Sequence, residues 1–409
     1  MQRLAVVHRK HTAVERSNPW RATLSGSCAS LVGIGLARFA YTPLLPAIVS
    51  AGWFAQSDAA YLGAANLAGY LAGALLARRM AARASASLVP RAMMLLATAA
   101  FFACAYPLSY PWFFAWRFAA GMAGGALMVL AAPTVLPHVP PARRGLASGA
   151  IFAGVGLGIA ASGTFVPLLL QQGLRQAWFG LGIISLVLTA IAWTGWPSHR
   201  AATRHKHAGH HPRPVRLLRT LYAQYALNAA GLVPHMIFLV DFVARNLGQG
   251  LDAGARYWVL FGLGAIVGPV ITGHVADKAG FGVTLRLAFL IEAAAVALPV
   301  LYPGPAGLIV SSIVVGAFTP GIVPLVLGRV HELLPHDADA REAAWSAATT
   351  SFAVFQAAAA YGLSYVFSRT GGDDRLLFMF GAAAMGLALA VDLISAATAG
   401  GRSRRRATD

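Results

Sequence analysis

Pro197-Ser-His-Arg-Ala-Ala-Thr-Arg-His-Lys-His-Ala-Gly-His-His-Pro-Arg-Pro-Val-Arg216 is a polar, basic run in a chain of 409 residues that is 57% hydrophobic and only 11% charged. Such a run cannot be buried in lipid, and the chain around it has the composition of a membrane protein. Outward from it in both directions lie apolar stretches, six before and six after, each able to cross a bilayer. A helix rises about 1.5 Å per residue and the hydrocarbon core is about 30 Å thick, so roughly 20 mostly apolar residues make one span. The spacing predicts spans near Leu24–Ala47, Ala59–Ala77, Ala92–Leu108, Trp112–Leu136, Leu146–Leu170, Trp178–Trp196, Leu217–Val243, Tyr257–Ala276, Val283–Leu301, Ala306–Leu327, Ala343–Phe367 and Leu376–Ala397. The expected organisation is a tail (1–21), a six-helix half (22–196), the linker (197–216), a second six-helix half (217–398) and a basic tail (399–409).

Alternate connections hold 25 of the 32 Lys and Arg residues, and the opposite connections hold five: Arg175, Arg245, Arg256, Arg369 and Arg375. This bias predicts that both termini and the linker are cytoplasmic. The formal charge of +18 is spread over short loops, which points to anionic lipid rather than nucleic acid as its partner. The first span continues into an arginine and two prolines rather than a cleavage site, so it reads as an uncleaved helix. Cys28 and Cys104 fall within spans, which argues against a disulfide framework or a cysteine metal site.

The halves share a trace of internal repeat. Gly73-Ala-Leu-Leu-Ala77-Arg78-Arg79 closes the second span, and Gly273-His-Val-Ala-Asp277-Lys278-Ala-Gly280 closes the eighth. The second of these resembles the loop motif of the major facilitator superfamily, and Arg117-x-x-x-Gly121-x-x-x-Gly125 resembles its fourth-helix motif. Within the superfamily, Gly33-Ile-Gly35-Leu-Ala-Arg38-Phe39-Ala-Tyr41-Thr42-Pro43-Leu-Leu-Pro46 and Tyr61-Leu-Gly63-Ala-Ala-Asn66-Leu-Ala-Gly69-Tyr70-Leu-Ala-Gly73 resemble the bacterial YbfB/YjiJ-type branch. The resemblance implies an all-α membrane protein of the bacterial inner membrane, twelve transmembrane helices in a major-facilitator-type fold of two six-helix halves that rock about a midplane site. It implies gating by Gly273, Asp277, Lys278 and Gly280, because Ala77 replaces the acid in the first copy. The fifth span lacks the superfamily's Gly-Pro antiporter step.

Arg38 and Arg117 are the two cations inside spans, and each must be compensated. Arg38 shares a face with Tyr41 and Thr42, and Pro43 and Pro46 free backbone carbonyls nearby. It reads either as an anion anchor or as a structural arginine bonded to those carbonyls. Arg117 heads the small-residue stripe Gly121/Gly125 and reads either as a substrate or coupling residue or as a side chain snorkelling to the surface. Gln224, Asn228, Gly231 and His235 share one face of the seventh span, which predicts a polar stripe on a cavity, with interhelical bonding as the other reading. His235 is a candidate proton carrier. Asn66 and Tyr70 on the second span, and Gln356 with Tyr361 on the eleventh, are further polar candidates; Trp345, Thr349 and Phe352 complete a stripe with Gln356 that reads as packing. Embedded acids are few: Asp58 and Asp241 lie near outer ends, Glu292 is mid-span on a helix that the resemblance makes peripheral, and Asp392 is near the cytoplasmic face.

His199, His205, His207, His210 and His211 could bind metal, but without acidic or cysteine partners the linker reads as a solvated tether. No phosphate-cradling Gly-Lys-Ser/Thr loop is present, so an ATP motor is not expected. No catalytic cluster or cofactor site is legible. The expectation is therefore a monomeric secondary transporter, not an enzyme, of a small organic solute, anionic or carboxylate-bearing, with a coupling proton left open. The alternatives are efflux of neutral sugar-like or amphiphilic compounds, and a transporter-shaped sensor or scaffold.

Overall fold

The computed structural model describes residues 19–85, 87–140, 143–197 and 214–406. The five linker histidines, residues 1–18 of the first tail and residues 407–409 of the last lie outside these residues. All described regular structure is helical, and twelve helices follow in order: α1 (Pro19–Ser50), α2 (Gln56–Arg83), α3 (Leu88–Cys104), α4 (Tyr110–Val135), α5 (Arg144–Leu170), α6 (Leu174–Ala192), α7 (Val215–Asn246), α8 (Leu251–Ala279), α9 (Phe281–Leu301), α10 (Pro305–Leu333), α11 (Ala338–Arg369) and α12 (Asp374–Arg406). Ten are long and apolar enough to cross a membrane. The other two are α3, which has 17 residues, and α11, whose Ser, Thr and Gln dilute an otherwise apolar helix. Below, the membrane face that carries the α6–α7 connection is the linker side, and its opposite is the far side.

Glycine decides how the helices pair. A Cβ at Gly69 or Gly73 of α2 would run into the carbonyl oxygens of Phe118 or Met122 on α4, and one at Gly121 or Gly125 of α4 would meet those of Asn66 or Tyr70 on α2. The two backbones are therefore in direct contact, as small residues permit. The second six helices repeat the device: Gly264 and Gly268 of α8 face the carbonyls of Ile313 and Ala317, and Gly316 of α10 faces that of Phe261.

Helix α1 is broken where the sequence carries Gly33, Gly35, Pro43 and Pro46. Leu31–Leu36 is a π-helical turn, Ala37–Ala40 is a turn, and α-helix resumes at Tyr41. Proline has no N–H to give and glycine tolerates the altered ladder, so this helix has backbone groups to be satisfied from outside.

The two sets of six helices meet through α1 and α7, α2 and α11, and α5 and α8. Gly156, Gly163 and Gly262 bring α5 and α8 to backbone contact at mid-membrane and far-side levels. Near the linker-side ends of these helices, Gly149 and Gly273 have nothing within 4 Å of a Cβ position. On the far side Tyr61 of α2 packs on Tyr361 of α11 with ring centroids 6.2 Å apart. The interface thus closes towards the far side and loosens towards the linker side.

Candidate functional site

From Val32 to Pro46 every residue of α1 is buried except Arg38, which is partly exposed where the two sets of six helices meet. Its guanidinium lies 5.1 Å from the Phe39 ring centroid and 5.0 Å from that of Tyr70 on α2. Its Nη2 is 3.6 Å from Met236 Sδ on α7, and its buried Nε has no partner. Gln356 of α11 donates to the same sulfur at 3.5 Å, leaving its Oε1 unbonded, and Thr42 donates to the Met236 carbonyl. Helices α1, α2 and α7 thus converge on one cation, and α11 joins them through Met236. Among the described residues no carboxylate or carbonyl accepts from it. A guanidinium held by ring faces and a thioether keeps most of its donors available to a ligand.

Arg117 lies deeper than Arg38. It is 2% exposed inside the first six helices and borders a small void with Ala37, Ala97, Ala100, Phe101, Cys104, Ala120 and Trp178. Its Nη1 donates to the Ala37 carbonyl at 2.9 Å, and the Tyr41 ring covers it at 4.2 Å. Asn66 joins the same knot, donating to the Ala37 carbonyl at 3.4 Å and to the Arg117 carbonyl at 3.1 Å, while Tyr41 donates to the Ala59 carbonyl at 2.7 Å. Arg117 and Asn66 thus both satisfy the Ala37 carbonyl in the irregular stretch of α1, and Tyr41 covers the guanidinium, so the three residues form one buried knot.

The polar face of α7 also points elsewhere than the cavity expected for it. Gln224 donates to Asp392 Oδ1 on α12 at 3.0 Å, and Asn228 donates to Glu292 Oε2 on α9 at 2.5 Å. Gly231 abuts Met385 of α12, and His235 Nε2 shares a hydrogen bond with Ser311 Oγ on α10 at 2.7 Å. The face is single, as its spacing requires, but it faces the interior of the second six helices. Glu292, expected at the periphery, is fully buried there.

At the α8–α9 connection Gly280 has φ +82° and donates its N–H to the Ala276 carbonyl at 2.8 Å, a conformation that suits glycine at a helix end. Asp277 and Lys278 are exposed, and neither has a charged partner among the described residues. The loop is braced instead from α10, where Glu332 accepts from the Phe281 N–H at 3.0 Å and pairs with Arg329 at 2.7 Å. Sequence reasoning did not single out this brace or Met236, which reads as an ordinary apolar residue. Among the described residues no group of three or more His, Cys, Asp or Glu is placed to hold a metal.

The sequence matches the family described as "Uncharacterised MFS-type transporter YbfB" over residues 30–393. No curated protein matches it. Among solved structures, a D-xylose-proton symporter aligns with a TM-score of 0.67 at 15% identity, over 91% of this chain and 97% of that one. A peptide transporter POT variant in complex with sulfate aligns with a TM-score of 0.74 at 13% identity, over 93% and 94%. A bacterial homologue of the human lysosomal transporter Spinster, in an inward-facing and unoccupied conformation, aligns at 0.66 and 15% identity, over 93% and 96%. These likenesses establish the major facilitator fold.

Proposed function

The chain belongs to the YbfB family of MFS-type transporters, and from that premise we propose that it carries a small organic solute with a carboxylate or comparable anionic group. The observation that supports this reading is Arg38: a cation at the meeting of α1, α2, α7 and α11, flanked by Tyr70 and Phe39 and without an acceptor among the described residues. An arginine fork matches a carboxylate bidentately. Tyr70 and Gln356 complete the contact set, the ring packing on the solute's apolar part and the free amide oxygen accepting from it. Arg117 holds the backbone that presents Arg38 and does not touch solute. The linker side is cytoplasmic, in keeping with the 25 Lys and Arg residues assigned to it, and the protein works as a monomer in the inner membrane.

The test is uptake and binding in reconstituted vesicles with a panel of monocarboxylates and their neutral amides. Arg38→Gln should weaken the carboxylates by roughly 2 kcal/mol, about thirtyfold, and leave any amide that binds unchanged. If the folded variant handles both members of each pair like the parent, the anionic reading fails and neutral-solute efflux takes its place.

A further inference from the structure

Glu292 is the one carboxyl at mid-membrane depth among the described residues, and it is fully buried. Asn228 donates to its Oε2, while its Oε1 and the Asn228 Oδ1 have no partner. Among the described residues no element packed against it brings a compensating charge. Helix α7 brings Asn228, with Gln224 and His235 further along the same face. Helix α10 brings Ser311 and Ser312. Helix α12 brings Met385, whose Sδ lies 3.5 Å from Asn228 Nδ2. The charged residues of α8, which are Asp252, Arg256, His274, Asp277 and Lys278, lie towards its ends. The nearest cation on α9 itself is Arg286, six residues away and already paired with Asp392 at 2.5 Å.

A bare carboxylate enclosed in this way carries a charge with no counterpart, and buried uncompensated charges cost several kcal/mol. It can only accept hydrogen bonds; once protonated it also donates, and the unbonded Asn228 oxygen needs a donor. Gln224 sits one turn from Asn228 and binds Asp392, which with Arg286 is partly exposed towards the linker side. Titratable and polar groups therefore lead from that side to the carboxyl. Asn228 shares α7 with Met236, two turns away, and Met236 is the residue through which α7 touches Arg38 and Gln356.

We propose that Glu292, with Asn228, is a proton-binding site inside the second six helices, separate from the solute site, and that its protonation sets the spacing of the two sets of helices. The step is one proton added to or removed from one carboxylate oxygen. Its role in coupling rests on the transporter reading; its existence does not.

The experiment uses the full chain in lipid nanodiscs with no solute. Infrared difference spectra across about pH 5 to 9 report the carbonyl stretch of a protonated carboxyl. Spin labels at Gly149→Cys and Gly273→Cys, with Cys28 and Cys104 replaced, report the α5–α8 separation. The parent should show a carboxyl titrating together with a change in that separation. Glu292→Gln should lose both, and Glu292→Asp should regain both with a displaced midpoint. If Glu292→Gln fails to fold, Asn228→Leu should displace the midpoint at least tenfold in proton concentration. A parent with no titrating carboxyl, or a titration that survives Glu292→Gln unchanged, overturns the proposal. Because no solute is present, such a failure leaves the transport reading intact, and a failed flux assay with an intact titration does the reverse.

Discussion

Arg117 on α4 donates to the carbonyl of Ala37, the residue directly before Arg38 on α1, at 2.9 Å. One buried guanidinium thus fixes the backbone that delivers the other to the interface. The donor is also one of few groups able to satisfy a carbonyl in the irregular part of α1, and a charged donor of this kind contributes about 1.5–3 kcal/mol.

Arg117→Gln should therefore lower the thermal stability of the purified protein by about 2 kcal/mol, and Arg117→Lys by less. Selectivity between a carboxylate and its amide should persist in the fraction that stays folded. Unfolding followed in detergent, beside binding per folded molecule, checks both. An Arg117 variant that is fully stable yet blind to the carboxylate would place this residue on the solute after all.

The glycine seam between α2 and α4 gives a sharp contrast. At Gly121 a Cβ collides with the Asn66 carbonyl, a backbone group that cannot step aside, whereas at Gly149 and Gly273 it meets open space. Gly121→Ala should cost about 1–3 kcal/mol and deplete the folded protein. Gly149→Ala and Gly273→Ala should match the parent or exceed it slightly, since alanine is the better helix former. Expression and melting temperature of the three variants decide the matter.

For orientation, cysteine labelling from either side of the membrane should find residues 200–215 and both termini cytoplasmic. Labelling of the linker from the outside would invert the assignment.

Asp277 stands exposed at the end of α8 with no charged partner among the described residues. Asp277→Asn should shift the distribution of α5–α8 separations and slow flux, without changing which solutes bind. An unchanged distribution and an unchanged rate would reduce the loop to a connection held by Glu332.

Much of this architecture was legible in the sequence, because lipid permits few solutions: twelve apolar runs, their loop charges and two motif copies specify twelve helices. The site was less legible, for a geometric reason. Helical spacing correctly puts Gln224, Asn228 and His235 on one face, but periodicity does not say which neighbour that face meets; α7 touches its own set of helices as well as the opposite one, and the polar face is turned inward. Arg38 and Arg117 look alike as isolated cations in apolar spans. What separates them is tertiary position: Arg117 is enclosed and meets the Ala37 carbonyl, whereas Arg38 is partly exposed where the two sets of helices meet and has no oxygen acceptor among the described residues. Met236 carries no polar signature at all, and its part in joining α1, α7 and α11 depends on where its sulfur and carbonyl come to rest.

The π turn at Leu31–Leu36 leaves one residue of slack immediately upstream of Arg38. A π turn closes its hydrogen bond over five residues rather than four, so it stores a residue that an α-helix would not need. Returning that segment to α geometry would rotate everything beyond it by about 100° relative to the start of the helix and displace it by about 1.5 Å. Arg38 would be swept off the Tyr70 face by a change confined to a single turn of backbone, with no bend of the helix axis required. The irregular stretch of α1 thus places one spare residue of backbone just behind the charge.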